Sequence, residues 1–165
     1  MPILLARVDD RLIHGQVVVG WASSLKANHI VVINDEAAGS DVQKLLFRMA
    51  TPTEIKLSVL TVAEAALKIN GRAFDDEDTI LLFKNPQDPY EMIKAGGRIS
   101  ELNIGGMHFF EGKWQLCDAV FVDDNDIETF KLLDEMKVLL EVRMVPTDAK
   151  RDIMKVIEEK TQKKK

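Results

Sequence analysis

"ILLARVDDRLIHGQVVVGWASSLK", residues 3–26, decides the fold. It opens as an apolar run of strand length and turns a corner dense in charge, at Asp9, Asp10, Arg11 and His14. It leaves as a segment in which Val17, Val18, Trp21 and Leu25 recur at helical spacing. The same exchange continues along the chain: "HIVVIN" is followed by "SDVQKLLFRMA", "IKLSVLT" by "VAEAALKI", "TILLFK" by "DPYEMIKAG", and "AVFVDD" by "DIETFKLLDEM". The strand-like runs do not alternate apolar with polar residues. Strands of that kind are buried on both faces, so the expected fold is α/β, a three-layer α/β/α domain around a mainly parallel sheet.

The punctuation agrees with this reading. Ser40, Asp88, Asp126 and Asp148 are residue types that cap helix starts, and Gly71 and Gly96 stand where helices end. "LNIGGMHFFEGKWQL", residues 102–116, has no helical period and reads as a strand, a turn and a short hairpin. With no internal repeat and no low-complexity linker, residues 1–160 are expected to form one domain and residues 161–165 a solvated basic tail.

Composition excludes several function classes. The net charge is −5, and four of the 22 Lys and Arg lie in the last six residues, so the rest carries −9. An acidic body of this kind lacks the basic patches that displace counterions from nucleic-acid phosphates. No apolar stretch has the length of a membrane span, and the first ten residues lack a secretory pattern, so the expected address is the cytoplasm. The single Cys117 has no second thiol for a disulfide or a zinc site and reads as a packed small hydrophobe.

The corner after the first strand is the candidate site, because in an open parallel sheet ligands bind at the carboxyl ends of the strands. Gly15 and Gln16 open a helix whose first amides are free to face an anion. Arg11 offers planar paired donors to phosphate oxygens. An ordinary histidine, with a pKa of about 6.5, is largely neutral at cytoplasmic pH and can attack phosphorus through an unprotonated ring nitrogen, which makes His14 the candidate nucleophile. Asp9 or Asp10 either holds the other ring N–H or pairs with Arg7 or Arg11 to fix the loop. Three functions fit these residues: a phosphoryl carrier, an enzyme using His14 as a general base, and a module that only binds an anion. His29, at a strand start with no charged cluster, reads as structural.

"RVDDRLIHGQVVVGWA", together with "VVINDEAA", "LFKNPQD", "NIGGMHF" and "VRMVPTDAK", resembles the enzyme IIB components of the mannose/fructose/sorbose class of bacterial sugar phosphotransferase systems. The resemblance covers most of the chain. It implies a sheet order of 3-2-4-1-5-6 plus a further edge strand. It also implies a protein-Nπ-phosphohistidine–sugar phosphotransferase in which His14 takes a phosphoryl group on Nδ1 from an enzyme IIA partner, assisted by Arg11, with the aspartates shaping the loop. The phosphoryl group then passes to the sugar carried by the membrane components IIC and IID, with which the chain associates peripherally. Neither metal nor cofactor is implied, and a homodimer stays open. In that strand order Lys84, Asn85, Gly105, Gly106 and His108 leave the strands flanking the first, so Lys84 is a candidate phosphate neighbour. His108 reads as loop packing, and Asp35 lies farther off, capping a helix or closing a turn. Met107, Phe109, Phe110 and Trp114 are candidate apolar contacts for the partner or, alternatively, members of the core, and the transported sugar is left open.

Overall fold

The computed structural model describes residues 3–163. Its strands are β1 (Ile3–Val8), β2 (His29–Ile33), β3 (Lys56–Leu60), β4 (Thr79–Phe83), β5 (Glu101–Ile104), β6 (Trp114–Cys117), β7 (Val120–Val122), β8 (Leu139–Val142) and β9 (Arg151–Asp152). Seven of them form one sheet in the order β3-β2-β4-β1-β5-β8-β9, while β6 and β7 pair as a separate antiparallel hairpin. All neighbours in the main sheet are parallel except β9, which joins the edge antiparallel to β8. Numbered within that sheet, the order is 3-2-4-1-5-6 with a seventh strand at the edge, as expected.

The helices are α1, a π-helical stretch Gln16–Ala22 that runs on as an α-helical turn Ser23–Leu25, then α2 (Asp35–Ala38), α3 (Asp41–Ala50), α4 (Val62–Asn70), α5 (Gln87–Lys94), α6 (Asp124–Glu135) and α7 (Ile153–Lys163). Every residue of β2 and β4 is buried, which explains why those strands lack a polar alternation. On one face Val8, Val31, Ile33, Leu81, Phe83 and Ile104 pack against α4, α5, α6 and α7. On the other, Leu5, Ile30, Val32, Ile80 and Leu82 meet Val17 and Trp21 of α1 and Phe47 of α3.

This division follows from handedness. The chain steps from β1 to β2 to β3 in one direction and from β3 through β4 to β5 and β8 in the other. Right-handed crossovers therefore put the two helix sets on opposite faces. β1 and β4 lie side by side yet lead opposite ways, which opens a crevice at their carboxyl ends.

Ser40 caps α3 by accepting the Gln43 N–H at 3.2 Å, as expected. The other three caps differ. α5 begins a residue before Asp88, whose N–H goes to Asn85 Oδ1 at 2.9 Å. α6 is capped by Asp123, the residue with extended backbone, and Asp126 returns a bond to its N–H at 3.1 Å. Asp148 closes a turn by accepting from Met144 and Val145, and α7 starts only after β9. Spacing alone misplaces caps among clustered acids, since only the last non-helical residue of each cluster can cap. α7 continues to Lys163, past the expected boundary at 160/161, and Lys164 and Lys165 lie outside the described residues.

Candidate functional site

The corner after β1 is stapled to both neighbouring strands. Asp9 N–H donates to Phe83 O at 2.9 Å, Asp10 N–H to Gly106 O at 3.0 Å, and Gly105 N–H to Val8 O at 2.8 Å. Leu12 and Ile13 then plug into the apolar layer beneath α1. Leu12 does so with φ of 57°, a left-handed conformation costly for a side chain and held here by its burial and by its N–H bond to Asp9 O at 2.9 Å. With those two side chains inside, Arg11 is turned outward, 49% exposed, and His14 stands at the mouth, 16% exposed.

Asp9 is the buried centre of the corner. Its Oδ2 lies 3.1 Å from Arg7 Nη2 and 3.1 Å from His14 Nε2, and its Oδ1 accepts the Arg11 N–H at 3.2 Å, with Arg11 Nε at 3.7 Å. The His14 contact is out of line for a full hydrogen bond, so it acts chiefly as an electrostatic one. Nε2 is buried. Nδ1 bonds to no described residue and is not buried, so it is the ring nitrogen open to solvent. Burial pushes the Asp9 carboxyl up, but His14 and Arg7 outweigh it and hold the group below its ordinary value.

Arg7 occupies an inward position that an apolar side chain would normally fill. Its Nη1 donates to Asn103 Oδ1 and to Arg143 O at 2.9 Å, and its Nη2 to Met144 O at 3.2 Å. The guanidinium lies 5.0 Å from the centre of the Trp21 ring, as does that of Arg143. Behind it, Asn103 Nδ2 donates to Glu141 Oε1 at 3.1 Å, and Glu141 holds Arg143 through both oxygens. A Cβ on Gly105 would overlap the Arg7 guanidinium, which gives that glycine its reason. Burial lowers the Arg7 pKa while Asp9 works to raise it.

The two aspartates thus separate: Asp9 takes Arg7 and His14, and Asp10 takes His108. Asp10 accepts the His108 N–H at 2.7 Å, and its other oxygen meets His108 Nδ1, tying the β5 loop to the β1 loop. Gln16 Oε1 accepts from Arg11 Nη2 at 3.3 Å, and Gly15 precedes α1 with room for a side chain. The Val17 and Val18 amides are spent on His14 O, both at 3.1 Å, which leaves those of Gly15 and Gln16 without an acceptor among the described residues. Lys84 lies 3.7 Å from Glu36 and lines, with Asp10, His108, Phe110 and Lys113, a cleft of about 460 Å³. His29 is structural, buried between Glu77 and Ser58. Asp35 holds the Val62 N–H, away from the corner.

Residues 3–165 match the family model of the sorbose-subfamily IIB component of the phosphotransferase system. The chain belongs to this family. It is 38% identical to the sorbose-specific EIIB component of Lacticaseibacillus casei, covering 96% of this chain and 97% of that one. It is 41% identical to the mannose-specific EIIAB component of Escherichia coli K12, over 95% of this chain and 49% of that longer protein. The crystal structure of the IIB domain of the Klebsiella pneumoniae sorbose permease superposes with a TM-score of 0.89 at 40% identity, over 96% and 98% of the two chains. This sorbose-family IIB component accordingly has a general part in sugar phosphotransfer. No helix among its described residues is long and apolar enough to cross a membrane.

Sequence reasoning missed the supports of this IIB corner: Trp21, Asn103, Glu141 and Arg143. The signal was present in "ELNI" and "LLEVRMV", where polar residues interrupt strands otherwise built for burial. Only the sheet order aligns those interruptions beside Arg7.

Proposed function

We propose that His14 Nδ1 accepts a phosphoryl group from the phosphorylated histidine of an enzyme IIA partner and surrenders it to a sugar hydroxyl at the membrane components IIC and IID. The observation that carries this reading is the orientation of His14, with Nε2 turned in toward Asp9 and Nδ1 turned out beside Arg11. The mannose-specific EIIAB relative, about twice as long as this chain and named for both components, supports an enzyme IIA donor.

In the first transfer the Nδ1 lone pair forms the new bond to phosphorus, and the bond from phosphorus to the donor's nitrogen breaks. The proton stays on Nε2, where the Asp9 carboxylate stabilises the positive ring. In the second, the sugar oxygen bonds to phosphorus, the Nδ1–phosphorus bond breaks with its electron pair returning to Nδ1, and the hydroxyl proton passes to water. Phosphoryl transfer demands alignment and charge stabilisation more than covalent help. Arg11, half exposed and held only by contacts of 3.3 and 3.7 Å, is free to swing onto the phosphoryl oxygens. The free Gly15 and Gln16 amides add donors, and Lys84 raises the potential of the neighbouring cleft. Arg7 stays buried and fixes Asp9 rather than touching phosphate. Catalysis takes place on the cytoplasmic side, with the chain docked peripherally on the permease.

The experiment is labelling from phosphorylated enzyme IIA with phosphorus NMR of the product. Wild type gives an Nδ1-phosphohistidine, His14→Ala takes up no phosphate, and Arg11→Ala is labelled at least 100-fold more slowly with its melting temperature unchanged. Full labelling of His14→Ala, or an Nε2 signal in the wild type, overturns the reading.

A further inference from the structure

α3 is turned inside out. Its apolar residues Val42, Leu45, Leu46 and Met49 recur at the i, i+3, i+4, i+7 spacing of a seam, and such a stripe normally faces the core. Here all four are exposed, at 57–74%, and the helix meets the body through its opposite side, by Phe47 and the buried Thr51 that follows it. None of the residues of α3 is buried. A stripe of four large apolar side chains on one helix is a contact surface, not scattered exposure.

We propose that this stripe is the seam of a two-fold homodimer, in which α3 packs antiparallel against α3 of a second copy. Three observations select a second copy as the occupant. The stripe is centred between Leu45 and Leu46, so a two-fold axis there sets Val42 against the partner's Met49 and Leu45 against the partner's Leu46. Every knob thereby meets an apolar residue of like size. On one flank of the stripe, Asp41 opens the helix and Arg48 closes it. The same axis brings each Asp41 beside the partner's Arg48, giving two symmetric ion pairs. Arg48 is available for this, since its own bonds to Pro52 O and Ile55 O are long, at 3.4 and 3.5 Å.

The position of the seam also fits. α3 covers the edge of the sheet at β2 and β3, whereas His14 leaves β1, three strands from that edge. Pairing through α3 therefore leaves the phosphoryl corner of each copy open, and the proposal stands or falls independently of the role of His14.

The test is sedimentation equilibrium of the intact chain across micromolar to millimolar concentration, with crosslinking of cysteine variants. Wild type is expected to dimerise, and Leu45→Glu to weaken the dimer at least 100-fold while keeping the wild-type circular dichroism, as suits a residue exposed in the monomer. Asp41→Lys and Arg48→Glu should each weaken the dimer, and the two together should restore it. Val42→Cys with Met49→Cys in one chain should form intermolecular disulfides that neither single variant forms. A wild type monomeric at millimolar concentration overturns the proposal. So does a dimer indifferent to Leu45→Glu, or single cysteines that crosslink as well as the pair.

Discussion

Asp9 carries more of the corner than its neighbours. Its side chain has no exposed surface, and it faces Arg7 and His14 at 3.1 Å while taking the Arg11 amide. Replacement by asparagine keeps the volume and removes the charge, leaving the Arg7 guanidinium buried against a neutral amide. Breaking one half of a buried pair costs about 3–5 kcal/mol. Asp9→Asn should therefore lose that much in urea unfolding and accept phosphate more slowly at temperatures where it stays folded. An Asp9→Asn protein as stable as wild type would show that the buried contact contributes nothing. The carboxyl, held below its ordinary value, also sets a sign: its contribution is complete above about pH 4 and fades as pH falls through the lower folded value.

At the scale of elements, α6 shows how local chemistry fixes a boundary. Asp123 sits in extended backbone and accepts the Asp126 N–H at 2.9 Å, Asp126 answers the Asp123 N–H, and the Asp126 carboxylate also takes Lys113 at 3.0 Å. Asp123→Ala leaves the first amides of α6 unsatisfied and should cost about 0.5–2 kcal/mol, read as a lower urea midpoint at unchanged slope. The same change at Asp124, inside the helix, should cost less. The exchange of strand and helix was legible in the sequence because β2 and β4 are buried on both faces and their composition has no other use. Which acid caps was not legible, because Asp123, Asp124 and Asp126 are equivalent in type and differ only in backbone angle. The two-residue β9 and the π-helical winding of α1 left no compositional trace. His14 and Arg11 could be read from their place at a strand end. The Asn103, Glu141 and Arg143 support required three strands to be aligned first.

For the whole molecule, the end of the sheet remote from His14 sets the response to pH. His29 opens β2 fully buried, with Nδ1 against Glu77 and Nε2 2.8 Å from Ser58 Oγ of β3. Lys56 meets the same Glu77 at 2.8 Å, so this cluster clamps β2, β3 and the chain entering β4. Burial lowers the His29 pKa, and Glu77, which pulls it back up, does not fully offset that. Since the folded value lies below the unfolded one of about 6.5, the unfolded chain binds the proton first as pH drops. Stability is therefore complete above about pH 6.5 and is lost as pH falls toward the folded value of His29. Asp88, raised by burial, runs the other way: its protonation favours the folded chain as pH falls, so it does not produce a loss on acidification. Urea midpoints of the wild type should fall between pH 7.5 and 5.5, while those of His29→Gln, lower at every pH for want of the ring, should stay level. Equal slopes in the two proteins would mean that the acid sensitivity arises elsewhere.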